Sequence, residues 1–246
     1  MKPLGIIAGT GFYSIDHIEN PREKVLLTEY GKAKAFHGTW HDREVYFLTR
    51  HGVDHSVPPH KINYRANIQA LVDFGVEDVL AVNVVGGVDP KLPVGGLQIM
   101  EDFLDFTKNR ISTFHDGEDG VIHTEMTNAY NKDLREVVLQ AAKNVGIEVA
   151  KGGVYACFDG PRFESAAEIK MTSILGGTVV GMTGVPEVTL AAEKSLRYAA
   201  LSLIVNPAAG LSDEVIEVDE IDRIIKTTGE KVIKIIDESI RLLSNK

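Results

Sequence analysis

Residues 78–87 read DVLAVNVVGG. β-Branched and other apolar side chains fill both alternating positions, so neither face of an extended segment here could be left to water. That pattern predicts a central strand of a parallel sheet, covered on both sides. Two apolar runs upstream, LGIIAG (4–9) and EVYFLTR (44–50), read as companion strands, the second reached through a hairpin-like polar stretch containing GKAKAFHG. Between the second and the central strand, INYRANIQALVDF (62–74) has helical spacing, with Ile62, Ala66, Ile68, Leu71 and Val72 on or near one face.

Downstream the alternation continues. LQIMEDFLDF (97–106) reads as a strand and its exit, and 107–128 as a long loop rich in Thr, His, Asp and Gly. NKDLREVVLQAAKNV (131–145) is an amphipathic helix closed by Gly146. Strands are expected at 152–160, 178–184 and 198–206, and helices at 164–175, 186–196 and 218–244. Strands alternating with helices predict an α/β fold with a largely parallel sheet. No Pro/Gly/Ser linker, composition change or repeat divides the chain, so one domain over 1–246 is expected.

Bulk properties narrow the function. A net charge of −9 argues against a nucleic-acid surface or a polybasic membrane contact. The single cysteine, Cys157, excludes an intrachain disulfide and a Cys-based zinc site, and a reducing, cytoplasmic compartment fits. After Met1-Lys2-Pro3 the chain runs into an apolar strand with no cleavable signal, and no apolar run reaches transmembrane length.

The turns GTG, RHG, NVVGG, GPRF, MTG and NPAAG are each expected to follow a strand. Ligands in such sheets bind outside the carboxyl ends of the strands, so these turns should converge on one site. The densest of them opens RHGVDHSVPPHKINYRAN (50–67). Arg50 and His51 at a strand end suit an anion, because guanidinium presents a planar fork of donors that fits phosphate. The plain alternative is an ion pair between Arg50 and a helix. His51, His55 and His60 have neither H-E-x-x-H spacing nor a carboxylate cluster beside them, so no metal is expected. Gly9-Thr10-Gly11 either brings backbone N–H groups and the Thr10 hydroxyl to an anion or is simply a tight turn. Position 14 is Ser14 rather than the third glycine of a dinucleotide fingerprint, and there is no P-loop motif.

Each remaining motif also has two readings. Phe163 is either core or a flat wall for a purine. Glu164 is either a carboxylate beside that wall or a first-turn helix acid. Thr183 and Met182 either meet phosphate and sugar or only turn a strand into a helix with Pro186 in its first turn. Asn206 either reads a heterocycle edge or forms a turn.

In order, RHG, PPHKINYRAN, GPRFE, MTGVPE and VNPAAG resemble the methylthioadenosine phosphorylase/purine nucleoside phosphorylase family over essentially the whole chain. The resemblance is closest to the short, 6-oxopurine-type members, the S-methyl-5′-thioinosine phosphorylases. It implies a mixed α/β sheet with a partly barrel-like centre, a homotrimer, and no metal or organic cofactor, inorganic phosphate being a co-substrate. Carried over by position, Thr10, Arg50, His51, Asn83, Val84 and Thr183 surround phosphate, although Asn83 replaces the Thr of adenosine-type relatives. Met182 touches ribose and Phe163 stacks on the purine, with Glu164 beside it. Asn206 and Ala208 stand where aminopurine-specific relatives carry two aspartates. Val218, Ile221 and His55 lie toward the 5′ substituent, and His123 is lent there by a neighbouring subunit. Asn206 and His51 are the candidates for catalytic proton or charge management.

The implied reaction is phosphate-dependent cleavage of the N-glycosidic bond of a 6-oxopurine nucleoside. S-methyl-5′-thioinosine comes first, giving hypoxanthine and 5-methylthioribose 1-phosphate. Behind it stand inosine or guanosine phosphorolysis, methylthioadenosine phosphorolysis, a nucleosidase and a non-catalytic nucleoside-binding module. Arg50, His51, Thr10 and Thr183 weigh against the nucleosidase, which needs no cradle for a dianion.

Overall fold

β5 (Asp78–Gly87) runs parallel to β1 (Leu4–Ala8) on one side and to β9 (Arg197–Pro207) on the other, as its two-faced apolar pattern requires. Val79, Ala81 and Val85 pack into one core cluster, and Leu80 and Val82 into another on the opposite face. In this computed structural model the described residues are 1–9, 11–12, 16–52, 56–117, 120–213 and 215–244.

The other strands are β2 (Glu19–Thr28), β3 (Gly31–Trp40), β4 (Arg43–Thr49), β6 (Leu97–Asp105), β7 (Ala150–Cys157) and β8 (Val179–Gly181). The sheet order is β2-β3-β4-β1-β5-β8-β7-β6-β9, and β9 pairs back on β5. Strands β5, β8, β7, β6 and β9 therefore close a barrel, and β1, β4, β3 and β2 extend from it. The sheet is mixed: β2–β3, β3–β4, β5–β8 and β6–β9 are antiparallel.

Five α-helices cover the described sheet: α1 (Tyr64–Asp73), α2 (Lys132–Asn144), α3 (Ala166–Ile174), α4 (Gly184–Glu193) and α5 (Val218–Ser244). Helix α5 buries Ile225, Gly229, Val232, Ile236, Ile240 and Leu243, one every three or four residues, which forms a continuous stripe against the core. Asn131 starts α2 by accepting from Leu134 N, and Gly146 follows its end at φ 69°.

Three boundaries differ from the sequence reading, and all three bear on the site. Helix α3 begins at Ala166 rather than 164, because Ser165 and Glu168 form a reciprocal capping box that places Phe163 and Glu164 in the preceding turn. Strand β8 ends at Gly181, which leaves Thr183 at the N-cap of α4. NVVGG lies inside β5, and Asn206-Pro207 are the last residues of β9, so these two motifs are strand ends rather than turns.

Candidate active site

The carboxyl ends of β1, β4, β5, β8 and β9 surround a cavity of about 410 Å³. Each strand contributes its last residues or the turn after them. Gly9 follows β1, Arg50 and His51 follow β4, and Val84 lies near the end of β5. Met182 and Thr183 follow β8, while Asn206 and Ala208 come from β9. Phe163 and Glu164 enter from the turn before α3, and Val218 and Ile221 from the first turns of α5.

The ion pair to a helix, the plain alternative for Arg50, is present. Arg50 also borders the cavity. Nε and Nη2 donate to Glu187 Oε2 and Oε1 of α4 at 2.6 and 2.7 Å, and Nη1 donates to Val82 O at 3.1 Å. Tyr198 Oη donates to Glu187 Oε1 at 2.7 Å, and all three side chains are buried. Burial works against the Arg50 charge, but the Glu187 carboxylate outweighs it and holds the guanidinium above its ordinary pKa. One N–H on each of Nη1 and Nη2 lies outside these bonds. The Gly9 backbone passes close by, so that a Cβ there would sit 3.0 Å from Nη1. Phe12 N donates to Gly9 O at 3.2 Å.

Val57 O accepts from His51 Nδ1 at 2.8 Å, which places a proton on that nitrogen. Thr183 makes no side-chain cap bond at α4, and its own N–H and that of Gly184 both go to Tyr155 Oη, at 3.2 and 3.3 Å. The amide of Thr183 is therefore already engaged within the protein. Val84 borders the cavity, but its neighbour Asn83 does not. Asn83 is 1% exposed, and among the described residues neither end of its amide has a hydrogen-bond partner. A buried polar group left so costs about 1–3 kcal/mol.

On the opposite wall Phe163 is 41% exposed, so it is not a core residue. Glu164 is buried, and its Oε1 has no hydrogen-bond partner among the described residues. Burial pushes its carboxyl above the ordinary value. Asn206 Nδ2 donates to Pro207 O at 2.6 Å, which settles which end of the amide is the NH₂. Thr10 and His55 lie outside the described residues. His123 is exposed, in the irregular stretch between β6 and α2, and is not part of the cavity wall.

Sequence reading missed Asp222 and Glu187. Asp222 borders the cavity one helical turn after Val218, so the i, i+4 spacing already placed both on one face of α5. Glu187 is hidden in MTGVPE, and only the fold brings it to Arg50. Among the described residues, no group of three or more His, Cys, Asp and Glu could hold a metal ion, and no helix is long and apolar enough to cross a membrane.

The profile of the Phosphorylase superfamily matches residues 3–241. The chain belongs to that superfamily. Among its relatives in the superfamily, the 6-oxopurine nucleoside phosphorylase of Pyrococcus furiosus is 41% identical over 249 residues, covering 99% of this chain and 94% of its own. A Methanothermobacter thermautotrophicus protein named "Probable S-methyl-5'-thioinosine phosphorylase" is 42% identical over 240 residues, covering 97% of this chain and 83% of its own. Methylthioadenosine phosphorylase from Schistosoma mansoni, solved in complex with adenine, superimposes with a TM-score of 0.94 at 29% identity, covering 100% of this chain and 93% of its own. The fold and the phosphorylase class expected from the sequence both stand.

Proposed function

We propose that this phosphorylase acts on 6-oxopurine nucleosides, with S-methyl-5′-thioinosine preferred and inorganic phosphate as co-substrate. No metal or organic cofactor takes part. The observation that carries this reading is Glu164, a buried carboxylate in the cavity wall whose Oε1 has no hydrogen-bond partner among the described residues. An ionised carboxylate can only accept hydrogen bonds. A 6-oxopurine presents an N1–H to it, whereas a 6-aminopurine presents an acceptor at N1. Asn206, with both an acceptor and an NH₂, can face an N7/O6 edge, and Ala208 offers no side-chain acceptor to an exocyclic amine. The names of relatives above 40% identity support the same class.

In the reaction, phosphate attacks the anomeric carbon as the C–N bond breaks. Positive charge develops on the sugar and negative charge on the base. Phosphate held by Arg50, His51, Thr183, Thr10 and the backbone at Val84 faces the first. Asn206 donates toward the base and takes up the second. Phe163 stacks on the purine, Met182 lies along the ribose, and the two walls hold nucleophile and carbon in line. The chain works as a homotrimer in the cytoplasm, His123 of one copy reaching the 5′ end of the nucleoside in the next.

One observation favours a second reading at the 5′ position. Val218 and Ile221 suit a methylthio group, but Asp222 borders the same cavity and would accept from a 5′-hydroxyl. That reading is a general inosine/guanosine phosphorylase. The deciding experiment measures base released from methylthioinosine, inosine and methylthioadenosine with and without phosphate. Phosphate-dependent release from the two 6-oxopurines, with methylthioinosine ahead, is the expected result. Release independent of phosphate would make the protein a nucleosidase.

A further inference from the structure

Arg110 comes from the irregular stretch between β6 and α2, yet its side chain is only 3% exposed. Its guanidinium sits where backbone carbonyls from separate chain segments converge. Nη2 donates to Met182 O at 2.7 Å and to Asp159 O at 2.9 Å. Nη1 donates to Val185 O at 2.6 Å, and its distance to Tyr64 Oη is 3.1 Å. The Met182 and Val185 carbonyls flank the Thr183-Gly184 pair, whose two N–H groups go to Tyr155 Oη. The Thr183 turn is thus held by Arg110 through its carbonyls and by Tyr155 through its amides. The Asp159 carbonyl, in turn, immediately precedes the Gly160–Glu164 turn that carries Phe163 and Glu164.

We infer that Arg110 is a positioning residue for phosphorolysis. It fixes the Thr183 turn, on the phosphate side of the cavity, against the turn bearing Phe163 and Glu164, on the base side. The inference rests on the functional reading above for what the two walls bind. The physical argument is direct. Carbonyl oxygens that converge on one point repel one another, and a cation with several fixed donors turns that repulsion into a joint. A planar guanidinium can bridge three carbonyls at set angles, whereas an ammonium is a compact point charge on a flexible stem and cannot hold the same spread. Attack on the anomeric carbon depends on the separation of phosphate and base, and a misplacement of about 1 Å can cost about 10²-fold in rate.

The test uses the full-length protein with Arg110→Lys and Arg110→Ala, and the nucleoside that the wild type cleaves. Folded fraction is read by circular dichroism and thermal unfolding, and kcat and KM are expressed per folded molecule. The expected result is a fall in kcat of about 10²-fold for Arg110→Lys, larger than any rise in either KM, with part of the kcat of Arg110→Ala restored by millimolar guanidinium. Wild-type kcat per folded molecule in Arg110→Lys would overturn the inference, as would a loss of activity that only tracks the unfolded fraction. If Arg110→Ala does not fold, the Lys variant decides alone. If the wild type releases no base with phosphate, the functional reading has failed, and thermal stabilisation by phosphate and inosine becomes the readout. A smaller stabilisation in Arg110→Lys then supports the joint, and an equal one refutes it.

Discussion

Arg50 and Glu187, separated by 137 residues in sequence, form a two-pronged, fully buried ion pair in the wall of the cavity. The pair has two consequences. It locks the guanidinium plane, so that its remaining N–H groups are aimed before a ligand arrives. It also cancels the Arg50 charge, so the attraction of this corner for a dianion comes from oriented donors rather than from a net cation.

Breaking the pair from either side should be costly. Glu187→Gln leaves an uncompensated buried guanidinium, and Arg50→Ala an uncompensated buried carboxylate. Each should lose about 3–5 kcal/mol of stability. The double replacement Arg50→Met with Glu187→Leu should recover much of that loss in denaturant titrations, while phosphorolysis at low phosphate stays abolished. Arg50→Lys should raise the KM for phosphate, since an ammonium lacks the fork. Full activity of the Arg50→Ala variant at low phosphate would remove Arg50 from the phosphate site.

Glu164→Gln should trade activity for stability. Burial holds the folded-state pKa of Glu164 above its ordinary 4.5. The ionised folded form therefore carries a penalty that is absent below the unfolded pKa and complete above the folded one. Stability from this position falls as pH rises through that window. The Gln variant should thus melt higher than wild type near neutral pH, with the gap closing under acid conditions. Its kcat/KM for a 6-oxopurine nucleoside should fall about 10- to 100-fold, the worth of a hydrogen bond to a charged group at about 1.5–3 kcal/mol. Unchanged kcat/KM would take Glu164 out of base recognition.

Asn206→Asp combined with Ala208→Asp should move selectivity toward 6-aminopurines. Two carboxylates accept from an exocyclic amine and leave O6 facing an acceptor. Wild-type enzyme should favour inosine over adenosine, and the double variant should narrow or reverse the ratio of their kcat/KM values. Equal use of the adenine nucleoside by the wild type would contradict the 6-oxopurine reading.

The 5′ end poses apolar Val218 and Ile221 against Asp222. Val218 and Ile221 offer apolar contact to a methylthio group but not to a hydroxyl, on a scale of about 0.8 kcal/mol per buried CH₂-sized unit, so methylthioinosine should have the higher kcat/KM at saturating phosphate. Asp222→Ala should widen that preference by removing a carboxylate acceptor that α5 presents to the cavity. A tenfold preference for inosine, about 1.4 kcal/mol, would decide for the general nucleoside phosphorylase.

His123 is exposed and does not line its own cavity, so a role for it in the site requires a neighbouring copy. Light scattering should give a trimer, and activity should fall on dilution to monomers. His123→Ala should raise the KM for nucleoside without altering stability. A fully active monomer would end the shared-site reading.

What the sequence by itself determined is local and periodic. The two-faced apolar run at 78–87 becomes a strand parallel to both its neighbours, and 218–244 becomes one helix with its stripe buried, because burial pattern and secondary-structure period are properties of neighbours in the chain. The strand-end motifs together with the family resemblance named Arg50, His51, Val84, Phe163, Glu164, Met182, Thr183, Asn206 and Ala208, and all of these border one cavity. Tertiary structure alone decided which of those groups are engaged. Glu187 meets Arg50, Tyr155 takes the amides of Thr183 and Gly184, and Arg110 joins the carbonyls of Asp159, Met182 and Val185. These are contacts between chain segments far apart in sequence, made where the closing of the barrel brings strand ends together. A buried donor or acceptor takes whatever partner that closure supplies, and no local pattern records it.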